Sequence, residues 1–415
     1  MTHHISPTNR SRWSAAAACA VALLIVCVLT VSARAGIRDL NHFESRAYDI
    51  YTNLTAPEAR EFGRHMDLIY REYSRRFSVL QGKERGKQNL YLLRTRQDYV
   101  DAMREFGIDA SATGGMFFWG SAGTGLATWV EGLSQDQVFA TLQHEGFHQF
   151  AHSKLGRDLP LWVNEGLAEY FGSAIVVDNN VRLGIVDADR VEKLRTAIRQ
   201  DQAVPFDELL NTTSEQWFAN MNGGSSRGSL QYDQSWSIVH FLIHGDRGRY
   251  QDAFANYLVL ISRGRDHEQA FFESFRSNNT GPFAQRWLNF IENVEADDYS
   301  TMLKRIQFLG AALEFLAAQP QPIVPKDLDD LKRLLRERQF RVTRMTESGA
   351  SVIDSGDDSL FGYTDRSGNQ RPFMLLPAQR DNLPPEIEAV NLRPSVKLVW
   401  DRDDDGRLFS RLDYD

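Results

Sequence analysis

The segment Thr141–Ser153, TLQHEGFHQFAHS, sets three histidines at four-residue intervals, with a glutamate directly after the first. On a helix, residues four apart lie on one face, one turn above the other. His144 and His148 can therefore offer two imidazole nitrogens to one tetrahedral metal ion. Glu145, about 100° round the helix from His144, can reach a metal-bound water without being a ligand. This is the H-E-x-x-H arrangement: two zinc ligands and a general base. His152 stands one turn further on, about 6 Å along the axis from His148, which is too far for a rigid helix to bring to the same ion. It reads as a partly exposed helix histidine. The alternative completion, a glycine bend and then a third histidine, is excluded because Ala151 and Lys154 occupy those positions.

A third ligand is available downstream in LPLWVNEGLAEYF, Leu159–Phe171, where Glu165 and Glu169 are again four apart. An antiparallel return after a short loop would put one carboxylate at the metal. The other could then accept a hydrogen bond from a ligand histidine, fixing its tautomer. A solvated acidic face would also show this spacing. Here, however, the glutamates are interleaved with Trp162, Val163, Leu167, Ala168, Tyr170 and Phe171, and buried carboxylates need partners.

The elements that must carry these residues follow from periodicity and punctuation. Ser134 is a natural N-cap, with Asp136 in the first turn, for a helix to about Leu155 that Gly156 stops. A second helix should start near Leu161, after Pro160. Ahead of them, residues 43–53 alternate as a strand and Pro57–Phe77 has helical spacing. QNLYLLRT then reads as a strand, RQDYVDAMREFG as a helix closed by Gly107, and glycine-rich TGGMFFWGSAGTG as the lead into a strand LATWV. Beyond them, helices are expected over 234–244, 249–262, 268–274, 283–294 and 300–318. Pro320, Pro322 and Pro325 mark a linker, a short helix covers 328–336, and the remainder reads as strands and turns. The expected class is α+β. A domain over 36–318 has a small mixed sheet and a mainly helical half that carries the site; a linker and short helix occupy 319–338, and a small β-rich module 339–415.

HEGFH followed by LWVNEGLAEYF resembles the gluzincin zinc metallopeptidases, the thermolysin- and aminopeptidase-like clan, whose pattern is H-E-x-x-H and then N-E-x-x-x-D/E. LPLWVNEGLAEYF is especially similar to aminopeptidase-like members and to exported bacterial proteins grouped as domain of unknown function 1570. ATGGMFFWG and AFFESF…WLNFIENV also resemble that group, so the likeness runs from about Phe43 to Glu295. It implies a zincin-like fold, zinc on His144, His148 and Glu165, Glu145 as base, and Glu169 hydrogen-bonded to a ligand. Two departures stand out: the interval from His148 to Glu165 is short for the clan, and Gly146 lies inside the metal helix, where it costs about 1 kcal/mol relative to alanine. Either the backbone is closely approached there or the site has relaxed.

Two neutral imidazoles and one carboxylate leave zinc an open position for water, which is the ligand set of a hydrolytic rather than a closed structural site. Peptide-bond hydrolysis also needs a donor for the developing oxyanion. Tyr232, in QYDQSWSIVHFL just before an expected helix, resembles the tyrosine that does this in aminopeptidase-like gluzincins, with Y-x-x-S where they have Y-x-x-G. Simple packing of a tyrosine at a helix start is the other reading. His240 and His244 form a second i,i+4 pair without a following glutamate; either is an alternative oxyanion donor. The expected function is an exported zinc metallopeptidase acting on a peptide or protein; the alternative is a non-catalytic gluzincin fold that has kept the metal. No G-x-M-E-N motif supports an exopeptidase assignment. DRDDDG near the C-terminus has calcium-loop spacing, but Leu412 stands where an EF-hand needs glutamate, so it reads as an acidic turn.

The first 35 residues carry Arg10 and Arg12, an apolar run from Ala15 to Val31, and Ala33 and Ala35 in A-x-A spacing: a secretory signal peptide, with an uncleaved anchor as the alternative. Cleavage after Ala35 removes both cysteines, Cys19 and Cys27, so no disulfide would staple the mature chain. It also removes three arginines, leaving 44 basic against 55 acidic residues and a net charge of about −11. Such a surface, with no basic stripe, excludes nucleic acid and anionic lipid as expected partners.

Overall fold

In a computed structural model, residues 36–415 are described apart from 81–85, 112, 122, 156–158, 178, 223–226, 278, 347–348, 403–405, 407 and 415; for 222, 344–346 and 349–351 the backbone alone is described. The expected signal peptide and Gly156 lie outside the described residues.

After a 3-10 turn at Ile37–Asp39 comes a hairpin of β1 (Asn41–Glu44) and β2 (Tyr48–Thr52), where one strand was expected. Asp67 enforces the turn by accepting from the Ser45 hydroxyl and from the Arg46 and Ala47 amides. Helix α1 (Ala56–Arg76) starts at a Thr55–Glu58 capping box and buries Phe62, Met66, Ile69 and Tyr73. β3 (Gln88–Leu93) and α2 (Arg96–Glu105) follow as expected. The glycine-rich segment is then itself a strand, β4 (Gly115–Gly120), paired antiparallel with β5 (Gly123–Trp129). The five strands form one sheet in the order β1-β2-β3-β5-β4, with β2, β3 and β5 parallel, so β4 is an edge.

Helix α3 (Gln135–Lys154) opens on Ser134, whose hydroxyl accepts from the Gln137 amide. It lies against β4 and β5 on one side and α4 (Leu161–Gly172) on the other. A short hairpin, β6 (Ile175–Val177) with β7 (Asn180–Arg182), leads to α5 (Ala188–Arg199), which the sequence reading missed. Its signals were present: Asp187 caps it through the Arg190 amide, and Val191, Leu194 and Ala197 are buried at helical spacing. Next come α6 (Phe206–Leu210), α7 (Ser214–Asn222) and α8 (Arg227–His244). Helix α8 starts seven residues earlier than expected. Its first turns bury Leu230 and Gln231, and the Gln231 amide is bonded to Trp217 O and to Asn220. Tyr232 therefore sits inside the helix rather than before it.

α4 and α8 cross very closely. An added Cβ on Gly166 would lie 2.5 Å from the Ser235 carbonyl oxygen, so only glycine allows this approach. A single aromatic-rich core joins α1, α3, α4 and α8 with α9 (Gln251–Ser262), α10 (His267–Phe275) and α11 (Gly281–Asn293).

α12 (Asp298–Ala317) belongs to a different core, shared with α13 (Leu328–Glu337) and the strands beyond it. These are the hairpins β8 (Arg341–Thr346) with β9 (Gly349–Asp354) and β10 (Gly362–Thr364) with β11 (Gln370–Pro372). They are followed by the sheet β12 (Met374–Leu376), β13 (Glu386–Ala389), β14 (Val396–Arg402) and β15 (Leu408–Tyr414). α12, which the sequence places with the helices before it, buries Met302, Ile306, Leu309 and Leu313 in this second core. The acidic turn reading falls on 403–405, outside the described residues, but a strand rather than a helix precedes it. Helix and strand are mixed throughout, in several small sheets. Among the described residues no helix is long and apolar enough to cross a membrane.

Candidate metal centre

Helical spacing in α3 does what the sequence led one to expect: His144 and His148 point to one place, their Nε2 atoms 3.1 Å apart. Glu165 of α4 completes a triangle, with Oε2 3.5 Å from His144 Nε2 and 3.4 Å from His148 Nε2. Tetrahedral zinc with bonds of about 2.0–2.1 Å holds its ligand atoms about 3.3–3.4 Å apart, so the triangle has the size the ion requires.

The donor chemistry agrees. Glu169 Oε1 lies 3.4 Å from His144 Nδ1, and Asn164 Oδ1 lies 3.1 Å from His148 Nδ1. An acceptor at each Nδ1 places the ring proton there and turns a bare Nε2 toward the other imidazole and the Glu165 carboxylate. Three lone-pair acceptors so close together, with side chains only 8–13% exposed, favour a positive charge between them. Burial alone would lower the histidine pKa values, but Glu165 and the neighbouring carboxylates outweigh it and raise both. Burial is likewise outweighed at Glu165, which the two imidazoles hold below the usual carboxylate range. A proton and a metal ion would compete for this position.

Glu145 lies beside the triangle and is almost fully buried. The Phe117 backbone N–H, on the free edge of β4, donates to its Oε2 at 2.7 Å and orients the carboxylate. The sequence gives no sign of this contact, because the glycine-rich segment is expected there only as the lead into a strand. Gly146 is resolved as a close approach: a Cβ there would meet Met66 Cε at 2.9 Å and the Tyr73 and Tyr48 hydroxyls at 3.5 and 3.6 Å.

Glu169 is the hydrogen-bonding glutamate and Glu165 the converging one. Arg190 of α5 binds the other Glu169 oxygen. Burial works against this carboxylate, but Arg190 and His144 outweigh it and hold its pKa down at about 2. Arg190 Nε also reaches Asp233 Oδ1 at 2.9 Å, and Lys193 Nζ reaches Asp233 Oδ2 at 2.7 Å.

His152 is partly buried as expected, and its ring lies 5.3 Å from those of Phe117 and Trp119. The contacts described for Tyr232 are with Trp217, whose Nε1 donates to the hydroxyl at 3.5 Å. His240 donates through Nε2 to Gly184 O at 3.2 Å, and burial brings its pKa down to about 4. His244 Nε2 is 2.9 Å from the Tyr170 hydroxyl.

Helices α3 and α4, two rods joined by a short loop, define a candidate three-donor metal centre with an adjacent carboxylate. The stretch that carries it, residues 138–265, matches a family described as Protein of unknown function (DUF1570). The match takes in most of α3 and continues through α9, so the three candidate donors, Glu145 and Arg190 fall inside it, whereas β4 falls outside. No curated protein matches the chain.

Proposed function

We propose that this chain is an exported zinc-dependent metallopeptidase with a zincin-like fold of the gluzincin type. One observation carries the reading: His144 Nε2, His148 Nε2 and Glu165 Oε2 converge within 3.1–3.5 Å, with Glu145 alongside. Zinc held by His144, His148 and Glu165 would supply a Lewis acid that polarises a scissile carbonyl and acidifies a water. Glu145, held by Phe117 N–H, is placed to take a proton from the attacking water and return it to the leaving amine. Glu169 and Asn164 keep the imidazole protons on Nδ1. Tyr232 is the proposed hydrogen-bond donor to the developing oxyanion.

A peptide substrate suits the free edge of β4, since an extended segment can add to it as a further strand beside Glu145. Trp119, 54% exposed on that strand, offers apolar surface to such a segment. The competing reading, a fold that keeps the metal without catalysis, has no use for a base at Glu145.

The test is Glu145→Gln against the unaltered protein, measuring bound zinc and cleavage of a mixed peptide library by mass spectrometry. The variant should retain zinc and lose about 10²-fold or more in cleavage. Equal cleavage by the two proteins refutes the proposal.

A further inference from the structure

Glu169 can orient His144 only while one of its oxygens faces Nδ1. A buried carboxylate whose second oxygen is unheld can rotate toward another donor. Its neighbours hold it in place. Arg190 occupies the second oxygen, and the guanidinium is ion-paired on its other side with Asp233 at 2.9 Å. The Trp236 ring lies against the guanidinium at 5.1 Å. Asp233, 1% exposed, is balanced in turn by Lys193 at 2.7 Å. The run Glu169, Arg190, Asp233, Lys193 alternates in charge and is neutral as a whole. The backbone of Arg190 is fixed as well, since its amide donates to the N-cap Asp187 at 3.0 Å and Asp187 is paired with Lys304 of α12.

We infer that Arg190 is a positioning residue of the metal centre: it bridges Glu169 and Asp233 and so holds Glu169 in the orientation that directs His144 Nε2 at the ion. Arginine suits the task because its planar fork serves two carboxylates at once, whereas a lysine ammonium has no such fixed geometry. The inference rests on the zinc reading above and adds a residue that touches neither the ion nor the substrate.

The test is a double-mutant cycle on zinc affinity, measured by competition with a chelator, using the unaltered protein, Glu169→Gln, Arg190→Met and the double variant. Each single change should weaken zinc binding by about 10–100-fold, and the double variant should bind no more weakly than the poorer single one, because Arg190 acts through Glu169. Cobalt-substituted Arg190→Met should show the same displaced absorption bands as Glu169→Gln, a signature that a general loss of stability does not produce. Arg190→Met alone removes the cation that two buried carboxylates share and can fail to fold. The double variant removes one charge of each sign, and Arg190→Lys keeps the cation, with an intermediate loss of affinity expected. Wild-type affinity in Arg190→Met or Arg190→Lys overturns the inference, as do losses that multiply in the double variant. Failure of the unaltered protein to take up zinc overturns the zinc reading, and this inference with it.

Discussion

Alanine placed at Gly146 of α3 or at Gly166 of α4 gains the same helix propensity, about 1 kcal/mol. The surroundings set the two positions apart. At Gly166 a Cβ would lie 2.5 Å from the Ser235 carbonyl oxygen and 2.7 Å from Val239 Cγ2. Ordinary contacts are about 3.5 Å, so α4 and α8 must separate by nearly ~1 Å, and no rotamer change moves a backbone oxygen out of the way. Overpacking costs about 1–3 kcal/mol, and a backbone obstacle puts this case at the upper end, for a net loss of about 2 kcal/mol. Glu165 is the residue before Gly166 and Glu169 is three after it, so both move with α4. Metal sites tolerate about 0.2 Å, so zinc affinity should fall at least tenfold as well.

At Gly146 the nearest obstacle is Met66 Cε at 2.9 Å, the free end of a flexible side chain, and the tyrosine hydroxyls are at ordinary contact distance. Met66 can yield, and Gly146→Ala should range from neutral to about 1 kcal/mol more stable. Denaturant midpoints of the metal-free proteins, together with zinc competition, measure both effects. If Gly166→Ala proves as stable and as zinc-competent as the parent, or Gly146→Ala the more damaging of the pair, the helix-crossing argument is wrong.

Asn164→Ala should weaken zinc binding by about tenfold, because His148 loses the acceptor that holds its Nδ1 proton; unchanged affinity in a chelator titration counts against that role. Tyr232→Phe should retain zinc and lose about 10²-fold in turnover, while His240→Ala keeps turnover; the reverse result would pass the oxyanion role to the histidine. His65, stacked on Phe139 and bonded to Gln143 at 2.8 Å, has its pKa brought down to about 4, chiefly by burial. Its contribution, on the order of 2–3 kcal/mol, is therefore present above pH ~6.5 and lost as the pH falls toward ~4. His65→Gln should flatten that part of the stability profile, and a slope unchanged between pH 6.5 and 4 would show that another group causes it.

Helices α3 and α4 were legible because local signals and long-range demands coincide in them. Ser134 caps α3, the histidine spacing matches the helical repeat, and the apolar residues around Glu165 and Glu169 announce burial. β4 was illegible for the opposite reason. Its glycines read as punctuation, yet they serve packing: a Cβ on Gly115 would lie 2.5 Å from Thr141 Cγ2, and one on Gly125 of the partner strand 2.7 Å from Tyr91 Cε2. The Phe117 contact to Glu145 followed that strand out of view. Arg190 was hidden differently. Nothing near residue 190 names its partners, because Glu169 and Asp233 reach it only once α4, α5 and α8 have packed. The early start of α8 has the same origin, in amide contacts from Gln231 to α7.

The distribution of charge gives the strongest reason to expect an ion at the triangle. Glu169 and Asp233 each have a cation in contact, and their run of four groups is neutral. The described polar partners of Glu165, by contrast, are the two imidazole Nε2 atoms, and both rings have an acceptor at Nδ1. An ionised carboxylate facing two lone pairs in a buried position is unfavourable unless positive charge enters. A proton can meet part of that need, and the raised histidine pKa values express it. A divalent ion meets it more fully, since it engages all three donors at once at spacings that already suit it. Zinc should accordingly raise the melting temperature of the unaltered protein in proportion to the logarithm of free zinc concentration, and Glu165→Gln should abolish most of that increment. Equal zinc-dependent stabilisation in Glu165→Gln would show that the ion, if bound, sits elsewhere.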